Sequence, residues 1–232
     1  MVNLNNEKPI IGIIARPYKV EEFNILGVFE SYRKAIIKSG GIPILILPPQ
    51  DVDYVKYSPG DLPNLTPEEK NLIISQIKLC DGILLPGGSK RYEYDRFITE
   101  YCLNEDIPAL GICLGMQLLA THIFRDTLEF TDKDLNHHKP GVDNVHRVNI
   151  DKNSKLFQIV GKEEILVNSR HKYKVTDIGN FEVVGIAKDG VIEAIEDKSK
   201  TFAIGVQWHP EDLMHTSDSH KLFKSFIERC RK

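Results

Sequence analysis

The stretch Ala109-Leu110-Gly111-Ile112-Cys113-Leu114-Gly115-Met116-Gln117 sets one cysteine between an apolar run and a helical pattern. Residues 107–112 predict a buried strand and residues 114–124 predict a helix, so Cys113 falls on the tight turn between them. A thiol on such a turn is held clear of the backbone, beside the N–H groups and the positive dipole end of the helix, which favour a thiolate. The two flanking glycines are expected to leave room for the sharp turn and for the close approach of a substrate.

Apolar runs and amphipathic stretches alternate through the first half of the chain, as they do in proteins with a parallel sheet. Strands are predicted at 9–15, 42–47, 82–85 and 107–112, and helices at 28–38, 68–78, 96–103 and 114–124. Right-handed crossovers would bring the carboxyl ends of these strands, and Cys113 with them, to one edge of the sheet.

After about Leu128 the pattern changes to shorter strands and a closing helix, which indicates added antiparallel strands. The strands are predicted at 146–151, 165–168, 181–187, 191–196 and 202–208, and the helix at 220–229. The dipeptide Asp189-Gly190 is typical of a hairpin turn. Residues 48–66 and 131–144 are expected to be long irregular loops.

The length and composition restrict the classes of function. With 232 residues and a formal charge of −3, the chain is expected to form a single α/β domain, residues 1–232. It has no block of lysine and arginine, which argues against a nucleic-acid partner. Residues 1–8 are polar and every apolar run is too short to span a bilayer, so we expect a cytoplasmic protein without a membrane partner.

The four cysteines lack the spacing of a zinc site or of a disulfide framework. Cys80, Cys102 and Cys230 are interpreted as packing residues, since free cysteine behaves as a small apolar side chain. A second set of metal-type side chains lies between residues 137 and 146, namely His137, His138, Asp143 and His146. Their irregular spacing in a polar loop predicts solvated side chains and no metal site.

A cysteine nucleophile needs a base, a group that orients the base, and donors for the oxyanion formed at a carbonyl. His209 ends a predicted strand in the motif Gly205-Val206-Gln207-Trp208-His209-Pro210-Glu211, and Glu211 can hydrogen-bond the imidazole. These residues predict a Cys-His-Glu triad. The segment Pro86-Gly87-Gly88 ends another strand, where its N–H groups and that of Leu114 can form an oxyanion hole.

With GICLGMQ, PGG and WHPE in this order, the sequence resembles the class I glutamine amidotransferases, and specifically the peptidase C26 branch that contains the γ-glutamyl-γ-aminobutyrate hydrolases. Three further stretches resemble that branch: Pro9-Ile10-Ile11-Gly12-Ile13, Tyr32 to Pro49, and Val167-Asn168-Ser169-Arg170-His171. The resemblance covers nearly the whole chain. It implies a flavodoxin-like three-layer α/β sandwich with a central, mostly parallel sheet and additional antiparallel strands in the C-terminal half.

The resemblance also implies the roles of individual residues. Cys113 is the nucleophile, His209 the general base and acid, and Glu211 the residue that orients His209. The N–H groups of Gly88 and Leu114 form the oxyanion hole. The substrate-binding residues implied in this way are Gly87, Gly88, Leu114, Gln117, Asn168, Ser169, Arg170 and His171.

The implied reaction is hydrolysis of the γ-glutamyl amide bond of a small γ-glutamyl compound, through a glutamyl thioester, to release glutamate and an amine. No cofactor is required, and assembly into a homodimer is left open. Leu114 differs from the arginine of many hydrolases of this branch and is more usual in ammonia-producing amidotransferase domains. The segment 89–95, which is shorter than in many members, is expected to border the pocket of the leaving amine.

Two alternatives to this hydrolase function stay open. In the first, the chain is a glutaminase component that supplies ammonia to a separate synthase. In the second, it is a non-catalytic binding protein that keeps the fold.

Overall fold

The computed structural model describes residues 8–121, 128–131 and 137–231. Its strands are β1 (Ile10–Ile14), β2 (Arg16–Val20), β3 (Phe23–Gly27), β4 (Ile42–Ile46), β5 (Gly82–Leu85), β6 (Ala109–Ile112), β7 (Leu128–Phe130), β8 (His146–Ile150), β9 (Glu164–Val167), β10 (Tyr173–Val175), β11 (Glu182–Ala187), β12 (Ile192–Glu196) and β13 (Ala203–Val206). Its helices are α1 (Glu30–Lys38), α2 (Pro67–Ile77), α3 (Glu93–Asn104), α4 (Leu114–Thr121), α5 (Lys155–Val160) and α6 (Ser217–Arg229).

Within the described ranges, nine strands form one mixed sheet in the order β4-β1-β5-β6-β13-β12-β11-β8-β9. The first five are mutually parallel, and the last four continue the sheet with antiparallel pairs. The chain leaves β1 toward β4 on one side and then returns to β5 on the other. This reversal between β1 and β5 opens a crevice at the carboxyl ends of the strands, where ligands bind in sheets of this type.

Helices cover both faces of the sheet. One hydrophobic core contains α1, α5 and α6, whose largest fully buried side chains include Tyr32, Phe223 and Phe226. A second core, on the other face, contains α2, α3 and α4. The structure thus confirms the predicted three-layer α/β sandwich with a mostly parallel centre and antiparallel additions. No helix among the described residues combines the length and apolar character needed to cross a membrane.

The predicted strands of the main sheet are all present, with ends shifted by a residue or two. The hairpin at Asp189-Gly190 is confirmed, since β11 and β12 pair in antiparallel fashion and Gly190 has a φ of +84°. The helix predicted at 114–124 is present as α4, and residues 122–124 lie outside the described part of the chain, as do residues 132–136 of the predicted loop at 131–144.

Several elements were not predicted. A two-stranded hairpin, β2 and β3, follows β1 directly, and a second small sheet pairs β7 with β10. The short helix α5 and a single helical turn at Pro59–Asp61, within the expected loop 48–66, were also missed.

The glycines around Cys113 set how closely α4 approaches the sheet. A Cβ added to Gly115 would lie 1.9 Å from the carbonyl oxygen of Leu85, and one added to Gly111 would lie 2.6 Å from the Gly115 backbone. The expectation that these two glycines make room for a substrate is therefore wrong, because both positions face protein atoms. Their role is to let helix and strands touch.

Replacing Gly115 with alanine is expected to destabilise the protein by about 3 kcal/mol, because the methyl group would push α4 away from β5. The measurement is the urea unfolding midpoint. Gly60→Ala is the matched control, since a Cβ there meets nothing within 4 Å, and its effect should stay within about 0.5 kcal/mol. Equal midpoints for the two variants would contradict this account of the packing.

Candidate active site

Cys113 is the single residue between β6 and α4. Its φ of +53° lies in the left-handed region, which costs a residue other than glycine roughly 1–2 kcal/mol. Two backbone hydrogen bonds hold the turn, one from the Cys113 N–H to the Val206 carbonyl at 2.8 Å and one from the Gln117 N–H to the Cys113 carbonyl at 3.1 Å. The thiol is consequently fixed at the carboxyl edge of the sheet, with 8% of the residue exposed.

His209 follows β13, the strand next to β6, and is buried beside Cys113. Its Nδ1 lies 2.6 Å from Oε1 of Glu211. Because a carboxylate oxygen only accepts, Nδ1 carries the proton, which leaves the other ring nitrogen for the hydrogen bond with Cys113. The backbone of His209 is held on both sides by Asn168, whose amide donates to the His209 carbonyl at 2.9 Å and accepts from its N–H at 2.8 Å.

Electrostatics favours the charged form of His209. Burial alone would lower the pKa of its imidazole, but the Glu211 carboxylate and the Cys113 sulfur outweigh burial and raise the pKa to about 10. At neutral pH the ring is therefore an imidazolium that is in place to give up a proton.

Glu211 is held by donors in addition to His209. Arg170 Nη2 donates to Oε1 at 3.2 Å, and Nη1 of the same side chain pairs with Asp212. Burial, strengthened by the Glu211 charge, raises the pKa of Tyr32 well above its usual range, so this hydroxyl keeps its proton. Arg170 Nη2 also lies 2.9 Å from His209 Nδ1. The two nitrogens are this close because both donate to the same atom, Oε1 of Glu211.

The two glycines after β5, Gly87 and Gly88, have different surroundings. The Gly87 N–H donates to the Tyr32 hydroxyl at 2.9 Å, and a Cβ at Gly87 would lie 2.9 Å from the His209 ring. A Cβ at Gly88 would instead lie 2.9 Å from the Leu114 side chain. The N–H of Leu114 begins α4 and so has no acceptor within the helix. Gly88 and Leu114 therefore remain the candidates for the predicted oxyanion hole.

A buried ion pair holds the segment that contains Gly87 and Gly88. Arg16, the residue that starts β2, pairs with Asp95 of α3 and donates to the Pro86 carbonyl at 3.0 Å. Asp95 in turn accepts from the Tyr92 N–H at 2.9 Å. Both charged side chains are almost completely buried, so the pair fixes the chain on both sides of the two glycines.

Two cavities meet at Cys113. One, of about 550 Å³, is lined by α4 and by the segment after β9, and its lining includes Leu114, Gln117, Arg170, His171 and Tyr173. The other, of about 350 Å³, has five tyrosine and phenylalanine residues in its lining, namely Tyr18, Phe29, Tyr32, Tyr54 and Tyr92. Gly88, Ser89, Cys113 and Arg170 belong to both linings. We call them the α4 cavity and the aromatic cavity.

The structure divides the predicted substrate-binding residues. Gln117, Arg170 and His171 line the α4 cavity, and the Gln117 amide donates to the Gln207 side chain at 3.2 Å. Asn168 and Ser169 are outside the described lining of both cavities. Asn168 holds the His209 backbone, and Ser169 donates to the His137 carbonyl at 2.6 Å, so both side chains are occupied within the protein.

Sequence reasoning missed Arg16, Asp95 and the role of Tyr32. Arg16 comes two residues after the apolar run of β1, a strand-end position like that of Cys113, and this was the available signal. The patterns of α1 and α3 mark Tyr32 and Asp95 as ordinary helix residues, because their partners lie far away in the chain.

The predicted solvation of the side chains between residues 137 and 146 is correct for only two of the four. His138 and Asp143 are exposed, whereas His137 and His146 are buried against Glu193. The prediction of solvation is wrong for these two, because the polar loop folds back over β12.

Comparisons with known proteins give the family and the fold. The family model described as Peptidase C26 matches residues 58–211. A glutamine amidotransferase-like protein of Rickettsia prowazekii is 29% identical, covering 97% of this chain and 99% of that protein. A CTP synthase of a Hydrogenobaculum strain is 30% identical over 70% of this chain, which spans 36% of that protein. The glutaminase domain of Trypanosoma brucei CTPS, solved with bound acivicin, has the same fold (TM-score 0.69, 18% identity, 96% of this chain and 93% of that one).

Replacing Glu211 with glutamine should lower the pKa of His209 from about 10 toward its ordinary value near 6.5 or below. Burial lowers the pKa of the imidazole, and without the carboxylate less remains to raise it. In wild type the ring should lose its proton only as the pH rises through about 10, and in the variant it should do so at lower pH. Histidine NMR titration measures both, with the exposed His215 as internal reference, and an unchanged His209 titration would contradict the assignment.

Proposed function

The chain belongs to the Peptidase C26 family, and from this membership we propose an amidohydrolase that cleaves the γ-glutamyl amide bond of a small γ-glutamyl compound. The products are glutamate and an amine, and the intermediate is a glutamyl thioester on Cys113. The observation that carries the proposal is the convergence of Cys113, His209 and Glu211 between two cavities, one for each side of the scissile bond.

In the first step the Cys113 sulfur attacks the side-chain carbonyl carbon of the glutamyl group. The carbonyl oxygen becomes an oxyanion and accepts hydrogen bonds from the N–H groups of Gly88 and Leu114. His209, held as an imidazolium by Glu211, gives its proton to the nitrogen of the leaving amine. The C–N bond breaks, the amine departs, and the acyl group stays on sulfur.

In the second step a water molecule attacks the thioester. His209, now neutral, takes a proton from this water, the C–S bond breaks, and glutamate and the Cys113 thiolate are released. Asn168 has a positioning role in both steps, because it fixes the backbone from which the imidazole projects. Arg170 keeps the Glu211 carboxylate in place.

The aromatic cavity supports a leaving amine larger than ammonia. The glutamyl group fits the α4 cavity, where the Gln117 side chain offers a polar contact. The leaving group then points into about 350 Å³ whose lining includes five tyrosine and phenylalanine rings and Lys90. A γ-aminobutyrate-like amine suits this space, because its methylene chain can lie along the rings while its carboxylate approaches the lysine ammonium.

A glutaminase that passes ammonia to a separate synthase is the second candidate. Two observations favour it: Leu114 directly follows the nucleophile, and this chain is similar to about a third of a CTP synthase. Under this alternative the protein turns over glutamine slowly alone and faster with its partner, and the aromatic cavity has no part in specificity.

Replacing Cys113 with alanine should lower hydrolysis of γ-glutamyl-γ-aminobutyrate by at least ~10³-fold, because the thioester cannot form. The assay measures released glutamate. An unchanged circular dichroism spectrum of the variant checks its folding. Cys102→Ala is the matched control, a buried cysteine of α3 that should keep most of the activity. Substantial activity in the Cys113 variant would overturn the mechanism.

Val55, a lining residue of the aromatic cavity, provides the test of the leaving group. Val55→Trp should reduce kcat/KM for γ-glutamyl-γ-aminobutyrate by about 10-fold or more while glutamine hydrolysis changes little, since only the larger amine needs the filled space. Val142→Trp, at an exposed valine outside both linings, is the control. Equal losses for both substrates, or activity on glutamine alone, would favour the glutaminase alternative.

A further inference from the structure

A second buried cluster of polar side chains lies apart from the triad and takes no part in the proposed reaction. It consists of His137, His146 at the start of β8, His171 and Glu193 of β12. All four residues are buried, and Glu193 completely so. Four separate segments of the chain therefore meet at this point in the interior.

The three imidazoles converge on one carboxylate oxygen. Oε1 of Glu193 lies 3.2 Å from His137 Nδ1, 3.5 Å from His146 Nε2 and 3.2 Å from His171 Nε2. One ligand atom from each of the four side chains lies within 4.8 Å of the others. Neighbouring ligand atoms of a tetrahedral ion with metal–ligand distances near 2.0–2.1 Å are separated by about 3.3 Å, and the three distances to Glu193 Oε1 lie close to that value.

The other nitrogen of each ring already has a partner. His137 Nε2 lies 2.8 Å from the Asp189 carboxylate, His171 Nδ1 lies 3.0 Å from the Tyr173 carbonyl, and His146 Nδ1 lies 3.4 Å from the Arg147 carbonyl. These oxygens only accept, so the outer nitrogens carry the protons. In the neutral rings the inner nitrogens then present lone pairs, the form in which histidine binds a metal.

Without a cation these lone pairs would face a carboxylate, which repels them. His137 Nδ1, His146 Nε2 and Glu193 Oε2 are buried and make no hydrogen bond with any described residue. Orphaned polar atoms of this kind are costly in an interior. We propose that the cluster is a structural site for a divalent first-row transition metal, with zinc as the ion that best fits three imidazoles and one carboxylate.

Charge balance agrees with a divalent ion. Glu193 and Asp189 together carry two negative charges, which one such ion neutralises. Protons could do the same only by charging two imidazoles, and the His137 ring lies 4.6 Å from that of His146 and 4.8 Å from that of His171. Two buried positive charges at such a separation repel strongly.

The site is closed, because the protein supplies four ligands, and closed sites are structural. The ion would join β8 and β12 to the segment that carries Arg170 and His171, two residues of the α4 cavity. By holding this segment, the ion would fix one wall of the α4 cavity. The inference does not depend on the proposed reaction.

The test uses Cys113→Ser protein, so that the active-site thiol cannot hold zinc. The protein is dialysed against chelator, loaded with zinc chloride, freed of excess metal and assayed by elemental analysis. We expect about one zinc ion per chain and a rise in melting temperature on the order of 5 °C or more over the chelated form. Less than about a tenth of an equivalent, with no rise, would overturn the site.

Two variants in this background locate the ion. His146→Gln should lose at least ~10-fold in zinc affinity, whereas His215→Ala, at an exposed histidine, should bind as the parent does. Zinc retained in full by His146→Gln would place the ion elsewhere and overturn the proposal. If that variant fails to fold, cobalt loading of the parent decides: a tetrahedral spectrum without thiolate bands supports the site, and an octahedral spectrum overturns it.

Discussion

The backbone of α4 lies in direct contact with the central strands, and the position of the nucleophile depends on this contact. At Gly111, Gly115 and Gly205 an added Cβ would come within 2.9 Å of helix or strand atoms, so larger residues would lift the helix off the sheet. With the helix so close, one residue must make the whole turn from β6, and Cys113 does so in the left-handed conformation. The N–H of Leu114, which has no acceptor within the helix, and the place of Gln117 one helical turn later follow from the same geometry.

The central sheet and the triad could be predicted because their signals are local. Parallel strands covered on both faces appear as short apolar runs, and residues at their carboxyl ends are marked by glycine or proline. Cys113, Gly88 and His209 all have this signature. The side chains that hold the site in place have no such signal: Asn168 contacts His209 across 41 residues and Tyr32 contacts Gly87 across 55.

The elements that sequence reasoning missed are those set by tertiary contacts. The β2–β3 hairpin turns at Glu21, which takes a φ of +53° without the glycine or asparagine typical of such a turn. The pair β7–β10 is only three residues long on each side. The buried histidines were misjudged because His137 and His146 acquire their surroundings from Glu193, which lies 56 and 47 residues further along the chain, respectively.

The two cavities are built from different parts of the chain. The aromatic cavity takes most of its wall from the first 92 residues, including the β2–β3 hairpin and the segment around Tyr54, whereas the α4 cavity is formed mainly by residues beyond Cys113. Apart from Arg16, Tyr32 and the two glycines after β5, the described residues of this N-terminal wall do not contact the triad in the structure, so substitutions at positions such as Tyr18, Phe29 or Val55 can accumulate without disturbing the groups that perform the chemistry. Such a division would let descendants of one ancestral gene acquire new amine preferences while the acyl chemistry remains under purifying selection.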